Sequence, residues 1–154
     1  MSGPTASVRR TALVPAPAAG VWAVLADFGA LARWVTVVDH SCLLHEPDLA
    51  IGTARRVQRG RVTVLEVVDV LENGVRLGYR IEGLPAVLRS VRNEWELRSA
   101  AGGTEVAVTT TVDAGPRPPQ QLVARLVARR LAKTSDSMLA GLAAHLADEA
   151  APVA

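Results

Sequence analysis

Apolar and polar residues alternate from Val37 to Asp113, the period of a β-strand, and on either side of that stretch apolar positions recur at helical spacing. Residues 8–14 read as a first strand, stopped by Pro15 and Pro17. Pro17 suits the first turn of a helix that runs to about Asp27 and puts Val21, Trp22, Leu25 and Phe28 on one stripe. Gly29 interrupts it, and residues 30–35 form a second short helical turn carrying Leu31 and Trp34. Strands are predicted over 37–44, 52–59, 61–71, 75–82, 89–99 and 104–113. The breaks between them hold turn residues: Glu46-Pro47-Asp48, Gly60, Asn73-Gly74, Gly83 to Pro85 and Gly102-Gly103. After Gly115 to Pro119 comes a long amphipathic helix, from Pro118 to about Asp148. Its apolar side carries Val123, Val127, Leu131, Met138 and Leu142, with Leu122, Leu126, Leu139 and Leu146 beside them, and Arg125, Arg129, Asp136 and Asp148 lie on the solvated side. Residues 150–154 are expected to fray.

The order β-α-α-β-β-β-β-β-β-α defines an α+β fold. Antiparallel neighbours joined by short turns build one strongly twisted sheet. A sheet covered by a single long helix curls around it, and the curl leaves a hollow. Strand parity says what faces together: Val62, Val64, Glu66, Val68 and Val70; then Val75, Leu77, Tyr79 and Ile81; then Arg89, Val91, Asn93, Trp95 and Leu97; then Val106, Val108 and Val112. A hollow walled by such residues accepts a small hydrophobic molecule. The chain reads as one domain, 1–154, with an ordered core of about 8–148 and neither repeat nor linker.

Composition narrows the classes. Hydrophobic residues are 49% and charged residues 21%, a globular balance, and no apolar run reaches the roughly 20 residues of a membrane span. The first ten residues lack the apolar segment of a signal peptide, so a cytoplasmic setting is expected. The isoelectric point of 9.3 overstates basicity, because 17 Lys+Arg face 15 Asp+Glu. All the cations but Lys133 are arginine, which with abundant Ala and Val fits a high-GC, bacterial genome, and the aromatic–basic interleaving of a nucleic-acid binder is absent. Cys42 is the only cysteine; its Cys42-Leu43-Leu44 context reads as a buried structural thiol. His40, His45 and His145 have no metal-ligand spacing, and neither a dinucleotide nor a phosphate-binding glycine motif occurs, so no metal or cofactor is expected.

Several short stretches together resemble the SRPBCC (START-like, helix-grip) superfamily in its polyketide cyclase/dehydrase branch. Pro17, Val21-Trp22 and Leu25-Ala26-Asp27-Phe28 are similar to its opening P-x-x-x-V-W-x-x-L-x-D-F, and Leu31-Ala32-Arg33-Trp34 to its L-x-x-W. Gly52-Thr53-Ala54-Arg55-Arg56, Glu66-Val67-Val68 and Leu77-Gly78-Tyr79-Arg80-Ile81 resemble later strand motifs, and the likeness spans about Arg9 to Leu146. Two features depart from relatives: the glycine-rich loop of the plant pathogenesis-related branch is missing, and Val35-Thr36 replaces the W-x-P variant after Trp34. The resemblance implies a hydrophobic cavity between sheet and last helix, used for lipids, sterols, hormones or polyketides by binders, transfer proteins, co-chaperones and cyclases.

Candidate chemistry is sparse. Glu66 shares the parity of the apolar positions; in an apolar pocket it would serve as an acid or base, and the other reading is an ion pair with an arginine on the next strand, such as Arg56. Tyr79 is the second catalytic candidate, or a core aromatic with its hydroxyl bonded locally. Asn93 and Arg89 would hold a carbonyl or carboxylate of a ligand, or else bond to backbone and solvent. Trp34 at the mouth and Trp95 on the sheet would stack on a ligand or pack the core, and Val64, Val108 and Met138 complete the apolar lining. Three functions remain open: binding of a small hydrophobic molecule, an aromatase/cyclase or dehydratase in the same cavity, and a protein-interaction module, as monomer or homodimer.

Overall fold

The computed structural model describes residues 5–45 and 48–150. The elements are β1 (Ala6–Val14), α1 (Ala18–Ala26), a 3-10 segment (Phe28–Arg33), β2 (His40–Leu43), β3 (Ala54–Arg59), β4 (Val62–Glu72), β5 (Arg76–Glu82), β6 (Ser90–Ala100), β7 (Gly103–Asp113) and α2 (Pro118–Ala150). This is the order the hydrophobic pattern predicts. Glu46 and Pro47 of one predicted turn, and all but the first residue of the tail expected to fray, lie outside the described residues.

β2 to β7 follow one another as a meander, with tight turns after β3, β4 and β6, as at Asn73-Gly74, where Gly74 takes φ 79°, a conformation open to glycine. β1 then pairs with β7, giving one antiparallel sheet in the order β1-β7-β6-β5-β4-β3-β2. The sheet curls over α2. The main core between them contains Trp34, Tyr79, Trp95, Val106, Leu139 and Leu142, and Trp34 meets Trp95 edge to face at 5.8 Å. The approach is close: a Cβ at Gly141 would fall on the Trp34 carbonyl oxygen, so glycine at this point in the helix seats the segment after α1. No helix among the described residues is long and apolar enough to cross a membrane.

Four expectations change. Residues 37 and 38 are not in β2: Val38 N–H donates to the Val35 carbonyl in a turn, and both valines face the hollow instead of pairing. In β4 the register to β5 shifts between Val68 and Val70, which reverses the side-chain parity. Val70 therefore turns to the convex face beside Gly78, and Leu71 joins the core; Asp69, on the same outer face, binds Arg92 at 2.8 Å. Cys42 is exposed, because Ser41 and Leu43 take the inward positions of a short edge strand. Finally, the first half of α2 turns an alanine stripe to the sheet. Ala124, Ala128 and Ala132 are buried at i, i+4 spacing, so the helix lies close, and the larger Leu122 and Leu126 are left exposed.

Candidate functional site

The curl leaves a cavity of about 730 Å³ between the concave face of β3 to β7, α2 and the segment 31–38. That volume lies in the range of roughly 300–1,000 Å³ typical of sites for small organic ligands. Its walls are mostly aliphatic: Leu31, Val35, Val57, Val64, Ile81 and Met138 are among them. Exposed Arg59, Val62, Arg130 and Lys133 mark the open side, and buried Glu66, Asn93, Thr110 and Ser135 bring polar atoms to the inner part.

Glu66 is held by Arg55, its cross-strand partner in the β3–β4 register. Arg55 Nε donates to Glu66 Oε1 at 3.0 Å, and Arg55 Nη1 donates to the Phe28 carbonyl at 2.9 Å. The guanidinium lies 3.8 Å from the Phe28 ring centre and 4.8 Å from that of Tyr79. Both charges are out of water, with Arg55 3% and Glu66 6% exposed. Burial of such a pair costs several kcal/mol per ion, which the mutual attraction, the carbonyl bond and the two ring faces offset. The arginine expected to meet Glu66 was Arg56, but Arg56 lies on the opposite face, exposed, across from Leu65.

Tyr79 sits behind the cavity wall. Its hydroxyl oxygen accepts from Trp95 Nε1 at 3.2 Å and from Asn93 Nδ2 at 3.4 Å. Burial pushes the phenol pKa up, the Glu66 charge adds to the rise and Arg55 opposes it. Asn93 Oδ1 in turn accepts from Thr110 Oγ1 at 2.7 Å, and Thr110 Oγ1 lies 3.4 Å from Ser135 Oγ on α2. A polar chain thus links sheet to helix along the cavity floor.

Of the candidates named from the sequence, Val64, Glu66, Asn93 and Met138 line the cavity together. Trp34, Tyr79, Trp95 and Val108 form the packed layer of the core, and none is among the lining residues. The buried Trp34 Nε1 has no hydrogen-bond partner among the described residues. Arg89 is exposed just before β6, its backbone N–H bonded to the Asp113 carbonyl. Arg55, Thr110 and Ser135 were not singled out. Thr110 shares the parity of Val108 and Val112, so alternation alone could have placed it; Arg55 needed the β3–β4 register, and Ser135 the rotation of α2.

A curved antiparallel sheet gripping one long C-terminal helix around an apolar cavity is the helix-grip architecture. The chain belongs to the polyketide cyclase/dehydrase and lipid transport family, whose model matches residues 5–147. No curated protein matches the sequence. Among solved structures, the chain is similar to the Zhui aromatase/cyclase from Streptomyces sp. R1128, with 19% identity over 93% of this chain and 94% of that one, TM-score 0.75. It is similar to Ara h 8.0201 at 16% identity over 94% and 99%, TM-score 0.70. It also resembles the di-domain aromatase/cyclase StfQ of the steffimycin biosynthetic pathway at 16% identity and TM-score 0.78, covering 95% of this chain and 52% of StfQ, about half of that protein.

Proposed function

We propose that this protein binds a small hydrophobic molecule, lipid-like or polyketide-like, in the cavity between sheet and α2. One observation carries the reading: a 730 Å³ cavity walled by aliphatic side chains, whose inner polar groups are largely engaged with one another. Such a wall binds by excluding water, at about 0.8 kcal/mol for each ligand CH2 buried. Asn93 and the second oxygen of Glu66 orient a polar group of the ligand. The test is native mass spectrometry of the protein purified from its own host. A co-purified hydrophobic molecule of fixed mass is the expected result, and failure of any lipid or aromatic probe to bind the purified protein would sink the reading. A single cysteine in an arginine-rich chain suits a reducing bacterial cytoplasm, where we place the protein as monomer or homodimer.

The second reading is an aromatase/cyclase or dehydratase, favoured by Glu66, a carboxylate at the inner cavity wall, and by the family's description. There the pocket would fold a reactive chain, with Glu66 as its proton shuttle and Tyr79 acting on it from behind the wall. Glu66→Gln separates the two: turnover of a polyketide-like substrate disappears under the enzyme reading, and probe affinity stays nearly constant under the binding one.

A further inference from the structure

We infer that the ligand is an amphiphile with a terminal anion, a carboxylate or phosphate, seated tail-inward with its charge held at the mouth by Arg59, Arg130 and Lys133. This rests on the hydrophobic-cavity reading above. Among the described residues, the charged ones lining the cavity are these three cations and Glu66. Glu66 is buried and already neutralised by Arg55, so the inner end carries no net charge. The three cations are exposed and all on the open side. Among the described residues none of them lies within ion-pair distance of a carboxylate. The nearest acidic residue along α2, Asp136, is engaged by Arg10 at 3.5 Å.

On α2 the reason is in the sequence: from Ala114 to Ser135 the only charges are Arg and Lys, whereas beside Arg59 the Asp39 carboxylate accepts the Gly60 N–H at 2.6 Å. Arg59 reaches from β3 to α2, its Nη1 donating to Thr134 Oγ1, the residue after Lys133, at 3.3 Å. Lys133 is the chain's only lysine. A rim with more cations than acids over an apolar interior attracts an anion and offers a neutral ligand no such gain. At the inner end the Arg55 guanidinium is already taken by Glu66, so a ligand anion in the reverse orientation would be buried with no free cation to meet it.

Tetradecanoate, tetradecyl phosphate and 1-tetradecanol share one tail and differ in the head. Their affinities, measured by tryptophan fluorescence titration, test the inference. Both anions are expected to bind about tenfold or more tighter than the alcohol, the sum of a few exposed charge pairs. The advantage shrinks as ionic strength rises from about 0.05 M to about 0.5 M. It vanishes in Arg130→Glu/Lys133→Glu, and Arg59→Gln reduces it, with alcohol binding unchanged as proof of an intact cavity. A larger advantage for one anion than the other separates a phosphate source from a carboxylate source. Equal binding of anion and alcohol, or an advantage that survives the double substitution, overturns the inference and leaves the cavity reading standing. Binding of none of the three overturns both.

Discussion

Arg55 and Glu66 face each other as cross-strand partners and are joined at 3.0 Å inside the protein, with the guanidinium packed against the Phe28 and Tyr79 rings. The two charges depend on each other. Arg55→Met strands the carboxylate in a site only 6% exposed, and a loss of about 3–5 kcal/mol of stability is expected. Arg55→Met/Glu66→Leu removes both charges and recovers most of that loss. Urea denaturation midpoints of wild type, single and double variants give the coupling directly; simple additivity would contradict the pair's mutual dependence.

Tyr79 is the only tyrosine, so its ionisation can be followed by absorbance without interference. Its folded pKa is raised above the ordinary value of 10.0, chiefly by burial. The sign follows from linkage: above pH 10 the unfolded chain releases the phenol proton first and binds fewer protons than the folded one, so stability falls as pH rises. The contribution is complete below pH about 10 and is lost toward the raised folded pKa. Tyr79→Phe should flatten this alkaline loss. At neutral pH the same variant costs about 1–3 kcal/mol, since Trp95 Nε1 loses its acceptor.

Gly141→Ala sets helix propensity against packing. Propensity alone predicts a gain of up to about 1 kcal/mol. The new Cβ collides with the Trp34 carbonyl oxygen, which is backbone and held in place, so a net loss of about 1–3 kcal/mol is expected. A thermal melt reads the sign. A change in tryptophan emission at native temperature would locate the shift at the Trp34–Trp95 pair.

Val64 lines the cavity, and Val64→Phe puts a ring into it. Displacing two or more ligand CH2 groups at about 0.8 kcal/mol each lowers affinity for a hydrophobic probe about tenfold or more. The melting temperature should hold or rise, because the ring fills empty space. Unchanged affinity would mean that the probe binds elsewhere.

Thr110→Val leaves Asn93 Oδ1 without its donor at the cavity floor. A stability loss of about 1–3 kcal/mol is expected, measured by urea denaturation. Thr110→Ser, which keeps the hydroxyl, should restore most of it.

Alternation was enough to read the strands, their order and the long helix, because period 2 and period 3.6 are local properties written into neighbouring residues. Parity likewise pointed Val64, Glu66 and Asn93 into one hollow with no knowledge of their partners. It failed in β4 beyond Val68, where a bulge reverses the faces, and at Cys42, where an apolar local context said nothing about which side of an edge strand is covered.

The rest depended on register and rotation, relations between segments distant in the chain. Which arginine meets Glu66 is decided by the β3–β4 pairing, and a one-residue difference separates buried Arg55 from exposed Arg56. Which stripe of α2 is buried is decided by how near the helix can lie to the sheet, and there alanines displaced Leu122 and Leu126. Tyr79 and Trp95 share the inward parity of Asn93, yet they end as packed core behind the cavity, since side-chain direction does not say where the empty volume lies. The chain's local periodicities thus specify a sheet, a helix and a greasy hollow between them; the partners and boundaries of that hollow come from long-range packing, which no window of sequence contains.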